Sequence, residues 1–161
     1  MTKFFGKYRG RVIDNVDPLD LLRILVEVPQ VLGPALSLWA LPCVPAAGML
    51  AGSFAVPAIG SQVWVEFEGG DPDYPIWTGG FWGEGDAPVI SSGQVVVLQS
   101  QGQNAVTISD GPGTPASGGI VLKSASGAVI VVNETGIYIA NGQGASVSLV
   151  GPNVQIESAV E

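Results

Sequence analysis

The stretch GSQVWVEFEGGDPDYPIWTGGFW, residues 60–82, decides the fold. Val63, Val65 and Phe67 alternate with Trp64, Glu66 and Glu68, the period-2 pattern of a strand with one buried face. Gly69-Gly70-Asp71-Pro72-Asp73 is a dense turn signal, and a second aromatic run follows from Tyr74 to Trp82. Together they predict a β-hairpin carrying the richest aromatic cluster of the chain.

Upstream of the hairpin three further strands are expected. Lys7 to Ile13 alternates, and Asn15-Val16-Asp17-Pro18 turns the chain. Arg23 to Val28 sets Ile24, Val26 and Val28 against Leu25 and Glu27, and Leu38 to Val44 is the third candidate. A short helix fits within Asp17 to Leu22. Five strands in a small antiparallel barrel form the oligonucleotide/oligosaccharide-binding (OB) architecture. No charged residue lies between Glu27 and Glu66, but Pro29, Pro34, Pro42, Pro45 and Pro57 interrupt that stretch. A spanning helix needs about 20 continuous apolar residues, so a buried strand with loops or a subunit interface is expected there.

Downstream, the texture changes near Ala87-Pro88. Short strands recur between glycine or asparagine turns: 94–99, 104–109, 119–124, 128–133, 136–141, 145–150 and 153–158. Asp110 to Pro115 reads as a loop. Most of these strands carry two apolar residues two apart, such as Ile120 with Leu122 and Ile137 with Ile139, which share a face. Each offers a narrow apolar stripe that it cannot bury alone, and such repetition marks a stacked array. The rungs are too short to enclose a core within one chain, so three chains around a shared axis are expected. At about 4.8 Å per strand, seven rungs make a shaft roughly 34 Å long. A β-sandwich would want bulkier aromatics, and after Trp82 the only one is Tyr138. The expected organisation is therefore all-β, with an OB domain over 1–90 and a shaft over 91–161.

Composition narrows the function. The chain has 161 residues, no histidine, one cysteine and a net charge of −8. Five of its six basic residues, Lys3, Lys7, Arg9, Arg11 and Arg23, lie at the N-terminus and are expected to be solvated or paired with Glu27, Glu66 and Glu68. An acidic body is a poor match for a phosphate backbone, so nucleic acid is not expected. Without histidine there is no His-based nucleophile or acid/base pair, and Cys43 alone makes no zinc site or internal disulfide. Cys43 is expected as a small buried apolar residue. Glu66 with Glu68 and Asp71 with Asp73 are the remaining carboxylate pairs, the first a solvated strand face and the second a turn. Too few ligands accompany Asp71 and Asp73 for calcium. Gly79 to Gly85 lacks the lysine and helix of a phosphate loop. No catalytic, cofactor-binding or metal-binding residue is assigned, and no enzyme is expected. Trp64, Tyr74, Trp77, Phe81 and Trp82 could stack on bases or sugars, but are expected in the barrel core or against another subunit. An OB binding module for nucleic acid or carbohydrate is the alternative reading. No apolar segment of secretory type follows Met1, so assembly in a cytoplasm is expected.

Several stretches resemble the baseplate assembly protein V and spike family of contractile phage tails, and spikes of phage-like injection particles and type VI secretion. They are Phe5 to Val12, Asp17-Pro18, Arg23-Ile24 with Val26 and Val28-Pro29, Trp39-Ala40, Pro45 to Gly48, Val63 to Glu68, Gly70 to Asp73 and Pro75 to Gly79. The resemblance implies an OB domain followed by an intertwined triple-stranded β-helix, a homotrimeric needle that punctures a membrane. It implies hub and tail-tube proteins at the OB end, transient contact with the target membrane, and membership of a phage tail or similar contractile particle. Some relatives end in an iron-binding tip built on histidines, which this chain lacks. Its blunt end suits a separate PAAR-type tip protein. Leu22 stands where the resemblance implies a glycine.

Overall fold

A computed structural model describes residues 2–87, 95–114 and 117–158. The chain divides into two compact units, Met1–Pro88 and Val89–Glu161. The expected boundary at 90/91 lies outside the described residues, as does Gln94 of the first expected shaft strand.

In the first unit, β1 is Tyr8–Asp14, β2 Leu25–Glu27 and β3 Leu41–Pro42; β4 is Ala46–Gly48, β5 Ala51–Ser53, β6 Gln62–Phe67 and β7 Pro75–Gly80. Five of these form a sheet in the order β2-β1-β6-β7-β3. Bridges Ile24↔Ala40 and Glu27↔Leu36 join the segment leading into β3 to β2 and its approach, with Ala40 N–H donating to the Ile24 carbonyl at 2.8 Å. That closes the barrel. The expectation of a wholly antiparallel barrel is corrected at one seam, where β3 and β7 run parallel. The reason is parity: an odd number of strands cannot close with every neighbour antiparallel.

The hairpin β6–β7 forms as read. Val63, Val65 and Phe67 of β6 point inward and join Val12, Ile24, Val26, Val28, Ala40 and Trp77 in one core. Gly10 sits where this core is tightest, since a Cβ there would lie 2.8 Å from Val65 Cγ2. The helical turn expected in Asp17–Leu22 is absent; the four-residue helix α1 is Pro29–Leu32, with proline in its first turn. The backbone explains the difference, because Asp20 and Leu22 take positive φ, which a right-handed helix excludes. The uncharged stretch after Glu27 contributes core residues, yet its β4–β5 hairpin is exposed throughout. Cys43 is also exposed, contrary to expectation. Its N–H is bonded to the Trp77 carbonyl at 2.9 Å, which fixes the backbone without burying the thiol.

The second unit is one seven-stranded sheet, each strand paired to its sequence neighbours. Its strands are β8 Val95–Gln99, β9 Ala105–Thr114, β10 Ser117–Lys123, β11 Val129–Asn133, β12 Gly136–Ala140, β13 Ser146–Val150 and β14 Asn153–Glu157. The rungs stack as expected, and all neighbours are antiparallel. The expected loop at Asp110 to Pro115 is corrected: Asp110–Thr114 continues β9, and Pro115 lies outside the described residues. The turn after β11 holds this extension in place. Asn133 Nδ2 donates to the carbonyls of Thr114 at 2.7 Å and Ser117 at 3.1 Å, and Gly113 N–H donates to Glu134 Oε1 at 2.5 Å. Between the pairs Ser109↔Gly119 and Thr114↔Ser117 the ladder is irregular, with residues 110–113 of β9 opposite Gly118 alone, and Gly118 and Gly119 both take positive φ, 79° and 68°.

Candidate functional site

Alternation within each strand and register between strands together build one surface. Residues directly opposite in a sheet share a face. Leu98 faces Val106, Val106 faces Leu122, Leu122 faces Ile130, and the row continues through Ile139 and Val147 to Ile156. A second row runs beside it: Val96, Ile108, Ile120, Val132, Ile137, Leu149 and Val154. Neither row contains a polar side chain. The opposite face, by contrast, mixes Val121 and Val131 with Thr107, Tyr138, Ser148 and Gln155.

In the isolated chain this surface is uncovered. Twelve of its residues are between 39% and 75% exposed, and Val106 and Val147 are half-buried. Burying a Val, Leu or Ile side chain fully is worth about 1.5–3 kcal/mol, so fourteen such residues forgo a large stabilisation until something covers them. An open concavity of about 610 Å³ lies along the surface over Leu98, Val106, Leu122, Ile130 and Ile139. Its polar residues, Asn104, Lys123, Ser124 and Asn141, stand at strand ends rather than converging on a point. That arrangement suits another apolar sheet better than a small ligand.

The residues singled out in the first unit are mostly engaged with one another. Trp77 is buried and donates Nε1–H to the Leu22 carbonyl at 3.2 Å. Trp64 and Phe81 lie with ring centroids 4.6 Å apart, and the Arg9 guanidinium sits 5.8 Å and 5.3 Å from them. Their faces are therefore taken by a cation–π contact within the chain. Tyr74 and Trp82 are exposed. Lys7 pairs with Glu66 at 2.8 Å, as expected, and Lys3 with Asp71 at 3.6 Å. Asp73 N–H donates to Asp71 Oδ1, the local turn bond expected of that pair. Among the described residues no group of three or more His, Cys, Asp or Glu is placed to hold a metal, and no helix is long and apolar enough to cross a membrane.

Sequence reasoning missed the pair Asp17–Arg23. Arg23 Nη2 lies 2.6 Å from Asp17 Oδ1, and Asp17 also accepts from the N–H groups of Leu19, Leu21 and Arg23. The Arg23 guanidinium, with these N–H donors, holds the Asp17 carboxyl well below the usual carboxylate range, and burial opposes them only in part. The pair fixes a loop in which Asp20 and Leu22 both have positive φ, 55° and 59°. The signal was Leu22 itself, a large residue at a position where glycine was expected.

Comparison with known families covers both units. The family model of the type VI secretion system/phage-baseplate injector OB domain matches residues 8–82. That of the phage baseplate V C-terminal trimerisation domain matches residues 95–161. No curated protein matches the chain.

Proposed function

The chain belongs to the baseplate V and spike family of contractile phage tails and type VI injectors, whose members are structural parts of phage tail-like particles, and from that premise we propose that it forms a trimeric membrane-puncturing needle. The observation that carries this reading is the pair of unbroken apolar rows on one face of the second sheet. Three copies facing inward would bury all three surfaces in a dry core. The right-handed twist of each sheet winds the three around their axis as a triple-stranded β-helix. The OB domain, over 1–90, seats on hub and tail-tube proteins, and the needle, over 91–161, points at the target membrane and accepts a PAAR-type tip. Sheath contraction supplies force, and a shaft closed by backbone hydrogen bonds transmits it along its axis. The work is mechanical and needs no cofactor. Assembly takes place in a bacterial cytoplasm.

Light scattering tests the reading. The intact protein should have a native mass near three times 16.5 kDa, and removal of residues 91–161 should leave a monomer. A well-folded monomer of the intact chain would overturn it.

A further inference from the structure

The hairpin β4–β5 has no structural reason for its tip. Its strands are exposed residue by residue, and they pair only with each other. The two-residue turn between them is Met49-Leu50, and Leu50 has φ 54°. Such turns favour asparagine and glycine, which accept positive φ readily. Here two large apolar side chains stand instead, 95% and 104% exposed. Residues held against local preference and against water are a mark of function rather than of folding.

The loop organised by Asp17 shows the same combination. Asp20 and Leu22 take positive φ, the half-buried Asp17–Arg23 pair holds them there, and Leu19 and Leu21 are displayed to solvent at 62% and 52%. The hairpin lies within the stretch from Pro29 to Val65 that carries no charge, so a charged surface offers it nothing. A rigid apolar ledge does.

We infer that the β4–β5 tip of one protomer docks on the Asp17-organised loop of the next protomer, so that three OB domains clasp one another head to tail in a ring. This rests on the trimeric reading above. The occupant is a second copy because the trimerisation domain is part of the same chain. Only residues 88–94 separate the described parts of the two units, a reach of about 29 Å at most. Tethering of that length holds neighbouring copies at millimolar effective concentration, ahead of any partner that must diffuse in. A heterologous contact repeated about a three-fold axis closes and leaves no tip free.

Disulfide trapping in the intact protein tests this. In a Cys43→Ser background, Leu50→Cys is combined with Leu19→Cys and the protein is mildly oxidised. The pair should yield disulfide-linked dimers and trimers on a denaturing gel, because a bridge forms only where Cα atoms come within about 7 Å. Leu50→Cys combined with Tyr74→Cys, a site equally exposed but on the β6–β7 turn, should not. Bridges confined to single chains, bridges from the Tyr74 pair as readily as from the Leu19 pair, or no bridges at all overturn the clasp. Native mass on the same samples separates the two readings: a trimer without interchain bridges removes only the clasp, and a monomer removes both.

Discussion

The two units solve the same problem in opposite ways. The barrel turns its apolar residues inward on itself, so Val12, Ile24, Val26, Val63 and Val65 are inaccessible within a single chain. The second sheet spreads its apolar rows over an open face, which on the trimeric reading other copies cover. A barrel of this kind can fold first and be inspected alone. On the trimeric reading, the sheet's fold and its oligomeric state are one equilibrium. Coupling the two in one chain joins a self-sufficient unit to one that association would complete.

The largest test of that contrast is a charge in the middle of the open face. Ile130→Asp puts three carboxylates into the shared core, and an uncompensated buried charge is destabilising by about 3–5 kcal/mol per site. The trimer should be lost by light scattering while the barrel's cooperative unfolding persists. A trimer that survived would mean that the face is not the one buried. The reciprocal change is Ile24→Ala in the barrel core, expected to lower the unfolding free energy of the first unit by about 2–5 kcal/mol in urea. Its trimer should remain; dissociation would show that the units are not independent. A smaller effect of opposite sign is expected for Leu22→Gly. It relieves a positive-φ residue, worth about 1–2 kcal/mol, partly offset by the greater freedom of glycine in the unfolded chain. A net gain below about 1 kcal/mol should appear as a raised urea midpoint for the barrel alone. The smallest concerns Glu134, whose carboxyl is held below its ordinary value by the Gly113 N–H. Its contribution is present above the unfolded value of about 4.3 and lost as pH falls through the lower folded value. The protection of the Gly113 amide, its exchange rate referred to the intrinsic rate at each pH, should therefore hold at pH 6 and fall only on acidification below the ordinary carboxylate range.

The seven rungs were legible because most carry a period-2 signal, and all are short apolar runs between turn residues. Register was not read from the sequence; in the structure it aligns the two apolar rows on one face while Val97, Val121 and Val131 lie on the other. What escaped was set by distant partners. Asp110–Thr114 looks like a loop from its glycines and proline, and becomes strand through Asn133 and Glu134, some twenty residues away. The β4–β5 hairpin has no alternation to read, being Ala-Ala-Gly and Ala-Gly-Ser. In the barrel, Lys7 and Glu66 were foreseeable because they flank strongly patterned strands. Asp17 was read only as a turn residue, although its carboxylate gathers the loop that displays Leu19 and Leu21.

The extended pair β9–β10 has a consequence for assembly. A ladder of seven near-identical rungs can mate with its copies in several offsets, because moving one chain along by two strands again sets apolar rows against apolar rows. The β9 strand has 10 residues where β8 and β11 have 5, so one rung differs from its neighbours. Only a single alignment brings the three long rungs level. In a trimer, the odd rung would therefore select one alignment out of the several that the repeating rows allow.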